Sequence, residues 1–518
     1  MLVENGERTV WRSTSEPVDT GGATLHESIM ATAEAMGDRV ALVDGPSGAV
    51  VTYEALAARI ERTAAGLAAR GLRPGDVLAL WAPNSPEWAI GALGAMAAGA
   101  TVSGASPVAT ARELAAQAMD CEATIIATVP ERLPAAREVA ATAGVREVVA
   151  LGDIEADGPA PAVALDPARA VALLPYSSGT TGLPKGVMLT HANLVAAVGQ
   201  ARAALKLGPR DTIVAIAPFA HVMGFVITLS NALSAGATAV TLPSFAFDVF
   251  VELIDRHRAT VLVGPPPMMA GLAGHPAVDA HDLSCLELVV SGGAPVPAEI
   301  ARAVGERLPG VVIRLGYGLT ETAATATAPD RELAVGPGSV GRAMPSTELR
   351  VVDPESGADL GPGEAGELWV RGPQTMAGYL HRPDATAALI DAEGWLRTGD
   401  LVVVDEEGQV FIVDRLKELI KVNAFQVAPA ELEAVLAAHP AVADAAVVGR
   451  PDAITGEAPV AAVVARDALD AQELMAWVAE RVAPYKRIRA VRFVDAIPRT
   501  PAGKILRRVL IEDERQAV

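Results

Sequence analysis

Short apolar runs rich in Val, Ile and Thr recur along much of the chain, and helical segments separate most of them. The runs lie at residues 123–128, 147–151, 212–216, 238–242, 260–263 and 286–291. This alternation is typical of βαβ units, because parallel neighbouring strands need a long crossover connection. The 518 residues exceed what one hydrophobic core usually takes, so two or more domains are expected. The pattern therefore predicts an α/β fold with parallel sheets.

The character of the sequence changes after about residue 338. Gly, Pro and Asp turns there separate short extended runs, a pattern that favours antiparallel strands. These runs lie at residues 348–353, 366–371, 401–405 and 410–413. A last block follows Arg415 and combines helical with extended segments, at residues 429–439, 443–448, 460–464 and 471–481. We expect a small β-rich unit followed by a small α+β domain.

Composition and charge exclude several classes of function. The net charge is −20 and the chain has no long basic block, which argues against a nucleic acid partner. Cys121 and Cys285, the two cysteines, lie far apart and favour a reducing, cytoplasmic compartment over a disulfide framework. The uncharged stretches 88–111 and 213–247 contain proline and many small residues, so they predict core segments rather than membrane insertion. The charged N-terminus lacks the apolar segment of a signal peptide.

The stretch 176–185, YSSGTTGLPK, follows a buried strand end and predicts a loop that binds polyphosphate. Glycine lets successive backbone N–H groups turn inward, and hydroxyl groups and a lysine add further donors. The loop is not a Walker A motif, because the GxxxxGK[ST] spacing is absent. An ordinary Ser/Thr/Gly surface turn is the alternative. The candidate ligands are Ser177, Ser178, Gly179, Thr180, Thr181, Gly182 and Lys185.

A second candidate site is GYGLTE at 316–321. It is not a dinucleotide fingerprint, because the third glycine position holds Glu321. A glutamate beside a phosphate loop suits Mg²⁺, which takes few carboxylates together with phosphate oxygens, and Tyr317 suits stacking on a base. The stretch SGGAP at 291–295 is another strand-end turn that lets the backbone approach a ligand. The alternative for both is a strand end and turn without a ligand.

Three further stretches carry candidate functional groups. Asp400 ends WLRTGD at the head of a strand, where a carboxylate can accept from two ribose hydroxyls. The run DRLKELIK at 414–421 is either functional or a solvated amphipathic turn. Lys504 follows a glycine close to the C-terminus, in PRTPAGKILRR. His221 lies in PFAHVMG, where a structural histidine is the alternative.

Together these motifs resemble those of the adenylate-forming superfamily and are most similar to 4-coumarate:CoA ligases and related acyl-CoA synthetases. They extend in order from about residue 171 to 508. The resemblance implies a large N-terminal part, residues 1–415, made of two sandwiched α/β subdomains and a small β-barrel from about residue 338. It also implies a small, mobile α+β C-terminal domain, residues 416–518, with its hinge at Lys417.

The resemblance implies a two-step reaction with ATP, Mg²⁺ and coenzyme A. A small carboxylic acid attacks the α-phosphate of ATP to give an acyl-adenylate and pyrophosphate, and a thiol then displaces AMP. Glu321 would bind Mg²⁺, and the implied ATP or AMP ligands are Ser177, Ser178, Gly179, Thr180, Thr181, Gly182, Lys185, Gly292, Gly293, Ala294, Gly316, Tyr317, Gly318, Thr320, Asp400 and Arg415. The implied catalytic residues are Lys504, Lys421, Lys417, Gln426 and His221. The implied acyl pocket consists of His221, Val222, Met223, Ala294, Gly318 and Ala324.

The chain departs from the family pattern at three places. Asn423 and Ala424 replace the Lys-Gly pair that helps to place CoA, so the acceptor is either CoA or a carrier-protein arm. Met223 replaces a tyrosine that lies near the phenol hydroxyl in plant coumarate ligases. Ala323, Ala324 and Thr325 replace a Gly-Pro-Val sequence.

The resemblance implies an acid:CoA ligase, and the departures at Met223 and at 323–325 favour a substrate without a para-hydroxyl. The small side chains of the implied pocket suit a flat ring or a medium aliphatic chain, and the favoured substrate is an aryl acid, such as a cinnamate, benzoate or aminobenzoate. Loading of a carrier protein and activation of a medium-chain fatty acid are the alternatives. A non-enzymatic binding module is disfavoured, because the chain retains Lys185, Glu321, Asp400, Lys421 and Lys504.

Overall fold

The computed structural model describes residues 2–5, 8–18, 22–177, 184–332, 335–422, 425–452, 455–500 and 503–516. Up to residue 177 the strands are β1 (Leu2–Asn5), β2 (Arg8–Arg12), β3 (Val40–Asp44), β4 (Val50–Thr52), β5 (Val77–Trp81), β6 (Thr101–Gly104), β7 (Ala123–Thr128), β8 (Glu147–Ala150), β9 (Val171–Leu173) and β10 (Tyr176–Ser177). The helices there are α1 (Leu25–Met36), α2 (Tyr53–Ala69), α3 (Pro86–Ala97), α4 (Ala111–Asp120) and α5 (Leu133–Ala143).

Side-chain caps fix where several of these helices begin. The hydroxyls of Thr52 and Ser85 accept hydrogen bonds from the first-turn backbone N–H groups of α2 and α3. Pro86 occupies the first helical position of α3, where its missing N–H has no intrahelical partner to lose.

The alternation continues to residue 315. Its strands are β11 (Lys185–Thr190), β12 (Thr212–Ala215), β13 (Thr238–Thr241), β14 (Val261–Gly264), β15 (Leu288–Ser291) and β16 (Val312–Leu315). Its helices are α6 (His191–Leu205), α7 (Asn231–Ser234), α8 (Phe247–His257), α9 (Pro266–Gly274) and α10 (Ala298–Arg307), and a π-helix spans Met223–Ser230 before α7.

Two sheets organise this part of the chain. The first has the order β10-β11-β9-β6-β5-β7-β8, and the second has the order β16-β15-β14-β12-β13-β3-β4. The pairs β5–β6, β5–β7, β12–β13 and β14–β15 are parallel. One continuous core joins the sheets through buried residues such as Leu80, Trp88, Leu194 and Ile213. The predicted α/β class and its sandwiched subdomains are confirmed.

The β-rich unit follows. It contains β17 (Thr327–Ala328), β18 (Arg342–Ala343), β19 (Glu348–Val352), β20 (Ala365–Arg371), β21 (Gly378–Tyr379), α11 (Pro383–Leu389), β22 (Leu396–Val404) and β23 (Val410–Arg415). Its antiparallel sheet has the order β1-β2-β19-β20-β22-β23 and covers a core that includes Trp11, Leu349 and Leu368. The N-terminal hairpin therefore joins this sheet, although the sequence assigned the unit only from about residue 338.

The last part of the chain builds a separate core. Its elements are β24 (Ile420–Val422), β25 (Phe425–Val427), α12 (Pro429–Ala437), β26 (Val442–Asp452), β27 (Gly456–Ala465), α13 (Ala471–Ala479), β28 (Ala490–Phe493) and α14 (Arg507–Gln516). Residues such as Val422, Leu432, Val463 and Leu474 pack together inside it. Within the described part of the chain, no helix has both the length and the apolar character needed to cross a bilayer.

Candidate active site

The predicted phosphate loop is bounded by an antiparallel pair of strands. Ser177 of β10 lies opposite Lys185 of β11. The loop residues between them, Ser178, Gly179, Thr180, Thr181 and Gly182, lie outside the described residues. The Ser177 hydroxyl lies beside the Tyr379 phenol, but its buried oxygen forms no hydrogen bond with any described residue. A buried hydroxyl of this kind is suited to donate to a ligand oxygen.

Lys185 and Glu321 both lie next to Tyr379, one over its ring and the other at its hydroxyl. The Lys185 ammonium is 4.8 Å from the centroid of the Tyr379 ring. The Tyr379 hydroxyl donates a hydrogen bond to Glu321 Oε1 over 2.7 Å. Thr320 precedes Glu321 in a short 3₁₀ turn, Thr320–Thr322. The structure therefore brings the predicted phosphate lysine and the predicted metal carboxylate to one place.

A buried polar network holds the segment that follows Glu321. The Thr325 hydroxyl donates to Gln200 Oε1 over 2.8 Å, and Gln200 Nε2 donates to Gln374 Oε1 over 2.9 Å. Gln374 Nε2 in turn donates to the Thr325 carbonyl over 3.2 Å. Because buried polar groups left without partners are costly, this closed set fixes the segment against α6 and the β-rich unit.

A second cluster joins Tyr317, Asp400 and Arg415. The Tyr317 hydroxyl donates to Asp400 Oδ2 over 2.5 Å, and Arg415 Nε lies 2.9 Å from Asp400 Oδ1. Asp400 and Arg415 face each other in the β22–β23 register, and Asp400 is 2% exposed. Burial raises the pKa of Asp400, although Arg415 and Tyr317 act in the opposite direction. A carboxylate held by two donors in this way can accept hydrogen bonds from further hydroxyls.

Lys504 approaches this cluster from the C-terminal part of the chain. Burial lowers the pKa of Lys504, and the charge of Arg415 lowers it further, while Glu418 and Asp400 raise it. The preceding residue, Gly503, has φ +82°, and a Cβ there would lie 3.1 Å from Pro267 Cδ at the start of α9. The C-terminal turn is therefore seated on the second α/β subdomain, with Lys504 close to Asp400.

The predicted acyl-pocket residues occur in two adjoining groups. His221 and Val222 lead into the π-helix, and His221 Nδ1 accepts the Met223 N–H over 3.2 Å. Burial lowers the pKa of His221, which favours a neutral imidazole with its proton on Nε2. A Cβ on Gly293 would lie 3.2 Å from Met223 Cε.

The second group is Gly318 with Ala324, since a Cβ on Gly318 would overlap the backbone of Ala324. Ala323 and Ala324 have φ of 48° and 69°. Both alanines therefore adopt the left-handed backbone region that favours glycine. Gly292 and Gly316 adjoin each other in the same region, because a Cβ on Gly292 would lie 3.0 Å from the Gly316 carbonyl oxygen. Ala294 follows Gly293 in the turn after β15.

The other predicted catalytic residues lie in the C-terminal part. Lys417 occupies the turn after β23, in which the Glu418 N–H donates to the Arg415 carbonyl over 2.9 Å. Lys421 faces Gln426 in the β24–β25 register, and the intervening Asn423 and Ala424 lie outside the described residues. The exposed Lys421 donates its backbone N–H to Glu457 Oε2 over 2.7 Å. Among the described contacts, none joins this hairpin to Asp400 or Glu321.

Tyr379 was not predicted as a site residue. It lies on β21, which pairs with β11 through Tyr379 and Val187. Its position next to Glu321 depends on the pairing of β21 with β11, two strands distant in sequence. No local sequence motif predicts this pairing.

Comparisons with known proteins agree with this arrangement. The AMP-binding enzyme family matches residues 29–380, and the AMP-binding enzyme C-terminal domain matches residues 431–504. The chain is 41% identical over 507 residues to 4-coumarate--CoA ligase 5 of Oryza sativa subsp. japonica, which covers 94% of each sequence.

Two solved structures extend the comparison. ATP-bound MatB from Rhodopseudomonas palustris superposes with a TM-score of 0.88 at 30% identity, covering 96% of this chain and 100% of that one. An anthranilate CoA ligase in complex with anthranoyl-AMP gives a TM-score of 0.88 at 26% identity, covering 96% and 99%. The chain therefore belongs to the family of AMP-binding enzymes, as a relative of the 4-coumarate–CoA ligases, and the family predicted from its motifs is confirmed.

Proposed function

We propose that this protein is an ATP-dependent acid:CoA ligase that activates an aryl carboxylic acid through an acyl-adenylate. The observation that carries the proposal is the cluster of Tyr317, Asp400 and Arg415, with Lys504 within electrostatic reach of Asp400 and Arg415. The cluster presents a carboxylate suited to a ribose, and Lys504 supplies a cation from the C-terminal part. The Lys185–Glu321 cluster supplies the groups suited to a triphosphate.

In the first half-reaction, a carboxylate oxygen of the acid forms a bond to the α-phosphorus, and the bond to the pyrophosphate leaving group breaks. Asp400, held by Arg415 and Tyr317, accepts from the ribose hydroxyls and fixes the nucleotide. Lys504 stabilises the charge that develops between the acid and the α-phosphate, so the protein acts by positioning and electrostatics and forms no covalent intermediate. Lys185 and the Ser177 hydroxyl hold the outer phosphates.

The residues present fit a magnesium ion at Glu321. Its Oε1 accepts from Tyr379, and among the described residues its Oε2 accepts no hydrogen bond. The described residues contain no group of three or more His, Cys, Asp or Glu side chains arranged around one point. A single carboxylate together with phosphate oxygens is the usual magnesium arrangement at a nucleotide. Bound there, the ion neutralises charge on the phosphates.

In the second half-reaction, the thiol sulfur of CoA attacks the acyl carbonyl carbon and AMP leaves. We assign His221, with its neutral imidazole, to the position between the acyl pocket and the arriving thiol that the resemblance implies. Among the described residues, Lys421 of the Lys421–Gln426 hairpin has no contact with Asp400 or Glu321. We therefore assign its contribution to this second step, after a rotation about Lys417.

The proposed substrate is an aryl acid because most of the pocket residues have small side chains, which suit a flat ring. Gly293 and Gly318 have close neighbours in Met223 and Ala324, so a side chain added at either glycine would meet them. Met223 offers no hydroxyl to a para-hydroxyl group, so burying a phenol there costs roughly 1–3 kcal/mol of unmet hydrogen bonding. The names of the relatives, a 4-coumarate–CoA ligase and an anthranilate CoA ligase, support an aromatic acid.

The test is ATP–pyrophosphate exchange with a panel of acids: cinnamate, 4-coumarate, benzoate, 2-aminobenzoate and octanoate. We expect exchange with at least one aryl acid and little with octanoate. The activating acid is then offered with CoA and, separately, with a phosphopantetheinylated carrier protein. Thioester formation on CoA supports the proposal, and transfer to the carrier alone would replace it with carrier loading. Exchange with none of the acids would contradict it.

A further inference from the structure

Tyr379 connects two functional groups that come from different parts of the chain. Its hydroxyl lies 2.7 Å from Glu321 Oε1, and its ring centroid lies 4.8 Å from Lys185 Nζ. The residue is 8% exposed and belongs to the main core, so the ring is held in place by packing. One rigid side chain therefore sets the separation between the phosphate lysine and the metal carboxylate.

The backbone fixes Tyr379 in the same place. Tyr379 pairs with Val187 and Gly378 with Met188 in the β11–β21 ladder, and Leu380 N–H donates to the Gly186 carbonyl over 2.9 Å. Met376 N–H donates to the Glu321 carbonyl over 2.9 Å. The segment 376–380 is thus bonded to the strand that follows the phosphate loop and to the turn that carries Glu321.

The hydrogen bond from Tyr379 also occupies only one of the two oxygens of the Glu321 carboxylate. Oε1 accepts from the phenol, and Oε2 has no hydrogen-bond partner among the described residues. A carboxylate free to rotate would lose conformational freedom when a cation binds, whereas one held by a neighbour is already oriented. The Tyr379 phenol therefore orients the Glu321 carboxylate and leaves Oε2 available to a cation.

We propose that Tyr379 is a positioning residue that holds the Glu321 carboxylate for a divalent cation on the same phosphates that Lys185 contacts. The proposal rests on the proposed function, because it assumes that a nucleotide and its cation bind beside Glu321. The competing explanation is that Tyr379 is only a core tyrosine whose hydroxyl has found a convenient acceptor.

The experiment compares wild type with Tyr379→Phe, which keeps the ring under Lys185 and removes only the hydroxyl. Mn²⁺ is titrated into enzyme with a non-hydrolysable ATP analogue, and bound cation is followed by electron paramagnetic resonance. Outer-shell partners of metal ligands typically change metal affinity by about 10- to 100-fold, so we expect cation binding at least roughly tenfold weaker. In steady state the variant should need more Mg²⁺ for half-maximal rate, with a smaller change in kcat at saturating Mg²⁺.

Tyr53→Phe is the matched control. The Tyr53 hydroxyl donates over 2.7 Å to the Ala237 carbonyl in the same core, and none of its hydrogen bonds to described residues involves Glu321. We expect Tyr53→Phe to lower the melting temperature without shifting the Mn²⁺ titration. A second comparison uses the double variant Tyr379→Phe with Glu321→Gln. We expect it to bind the cation no more weakly than Glu321→Gln alone.

Two results would overturn the inference. The first is that Tyr379→Phe binds Mn²⁺ with wild-type affinity. The second is that Tyr379→Phe weakens Mn²⁺ binding by the same factor in the Glu321→Gln variant as in wild type. Either result would make Tyr379 a structural residue. If wild type itself binds no cation with the nucleotide, the proposed function fails and the inference falls with it. That failure is visible in the wild-type titration alone, before any variant is compared.

Discussion

Burial lowers the pKa of the His191 imidazole. The side chain is 1% exposed, its Nδ1 accepts the Leu25 N–H over 3.2 Å, and its ring centroid lies 5.7 Å from that of His26. Burial lowers the pKa of His191 to about 4, against about 6.5 in an unfolded chain. Between these values the unfolded chain binds a proton that the folded chain does not, so stability falls as pH falls through this window. Below pH 4 the free energy of unfolding is lower by about 3 kcal/mol than at neutral pH because of this histidine.

His191→Asn should therefore make the stability depend less on pH below neutrality. The asparagine amide oxygen keeps an acceptor for the Leu25 N–H and does not titrate. The measurement is the difference in melting temperature between pH 7 and pH 5, for wild type and variant. His381→Asn removes an exposed imidazole and is the control. An equal pH difference in wild type and His191→Asn would show that this histidine does not govern the acid side.

Met223 is the residue of the proposed acyl pocket that lies next to Gly293. Met223→Tyr should place a hydroxyl where a para-hydroxyl of a cinnamate needs a partner, provided that the bulk fits. We expect the ratio of kcat/KM for 4-coumarate over cinnamate to rise by about tenfold, which corresponds to one hydrogen bond. Met223→Phe adds similar bulk without the hydroxyl. The same rise with phenylalanine would assign the effect to shape.

At the scale of elements, α12 receives its cap from another part of the chain. Ala428 precedes the helix and has no side chain that caps it, and Pro429 has no N–H. The next N–H, that of Ala430, donates to Asp414 Oδ2 over 3.0 Å. Asp414 belongs to β23, the last strand before Lys417, so the carboxylate fastens the C-terminal part to the strand before the proposed hinge.

Asp414→Ala should lower stability by about 1 kcal/mol, the usual effect of losing a cap. Asp414→Asn keeps an acceptor and avoids a buried charge. Burial raises the pKa of Asp414 to about 6, so the folded chain holds a proton that the unfolded chain releases near pH 4, and stability falls as pH rises from about 4 to 6. At pH 7 the asparagine variant should thus melt at or above the wild-type temperature and the alanine variant below it. Equal losses in both would contradict the capping role.

Local signals predicted the elements that form locally. The predicted strand at 123–128 is β7, and local side-chain caps at Thr52 and Ser85 begin α2 and α3. Pairing of β2 with β19 joins segments more than three hundred residues apart, as Trp11 with Leu349. No periodicity in either segment encodes that partner. Asp400 was found because its motif is continuous in sequence, whereas Tyr379 and Asp414 act through contacts made only in the folded chain.

At the scale of the whole molecule, one site must serve two half-reactions with different needs. In the described pose Gly503 is seated on Pro267 and Lys504 is close to Asp400, which suits formation of an adenylate. Lys421 has no described contact with Asp400 or Glu321, so we expect the thiol step to use another pose. A rotation between the two needs a few residues that absorb the change in φ and ψ. Lys417 lies in the turn that separates β23 from the C-terminal core.

Lys417→Pro should slow the thioester step at least about tenfold relative to adenylate formation, because proline fixes φ near −65° and opposes the rotation. Adenylate formation is measured by pyrophosphate release, and the thioester step by adding CoA to preformed acyl-adenylate, in one folded preparation. Lys417→Ala removes the charge but keeps the backbone N–H and its freedom, so it should leave the ratio of the two rates near that of wild type. If alanine changes the ratio as much as proline, the charge matters rather than the backbone. If both half-reactions fall together with the folded fraction, Lys417 is not the hinge.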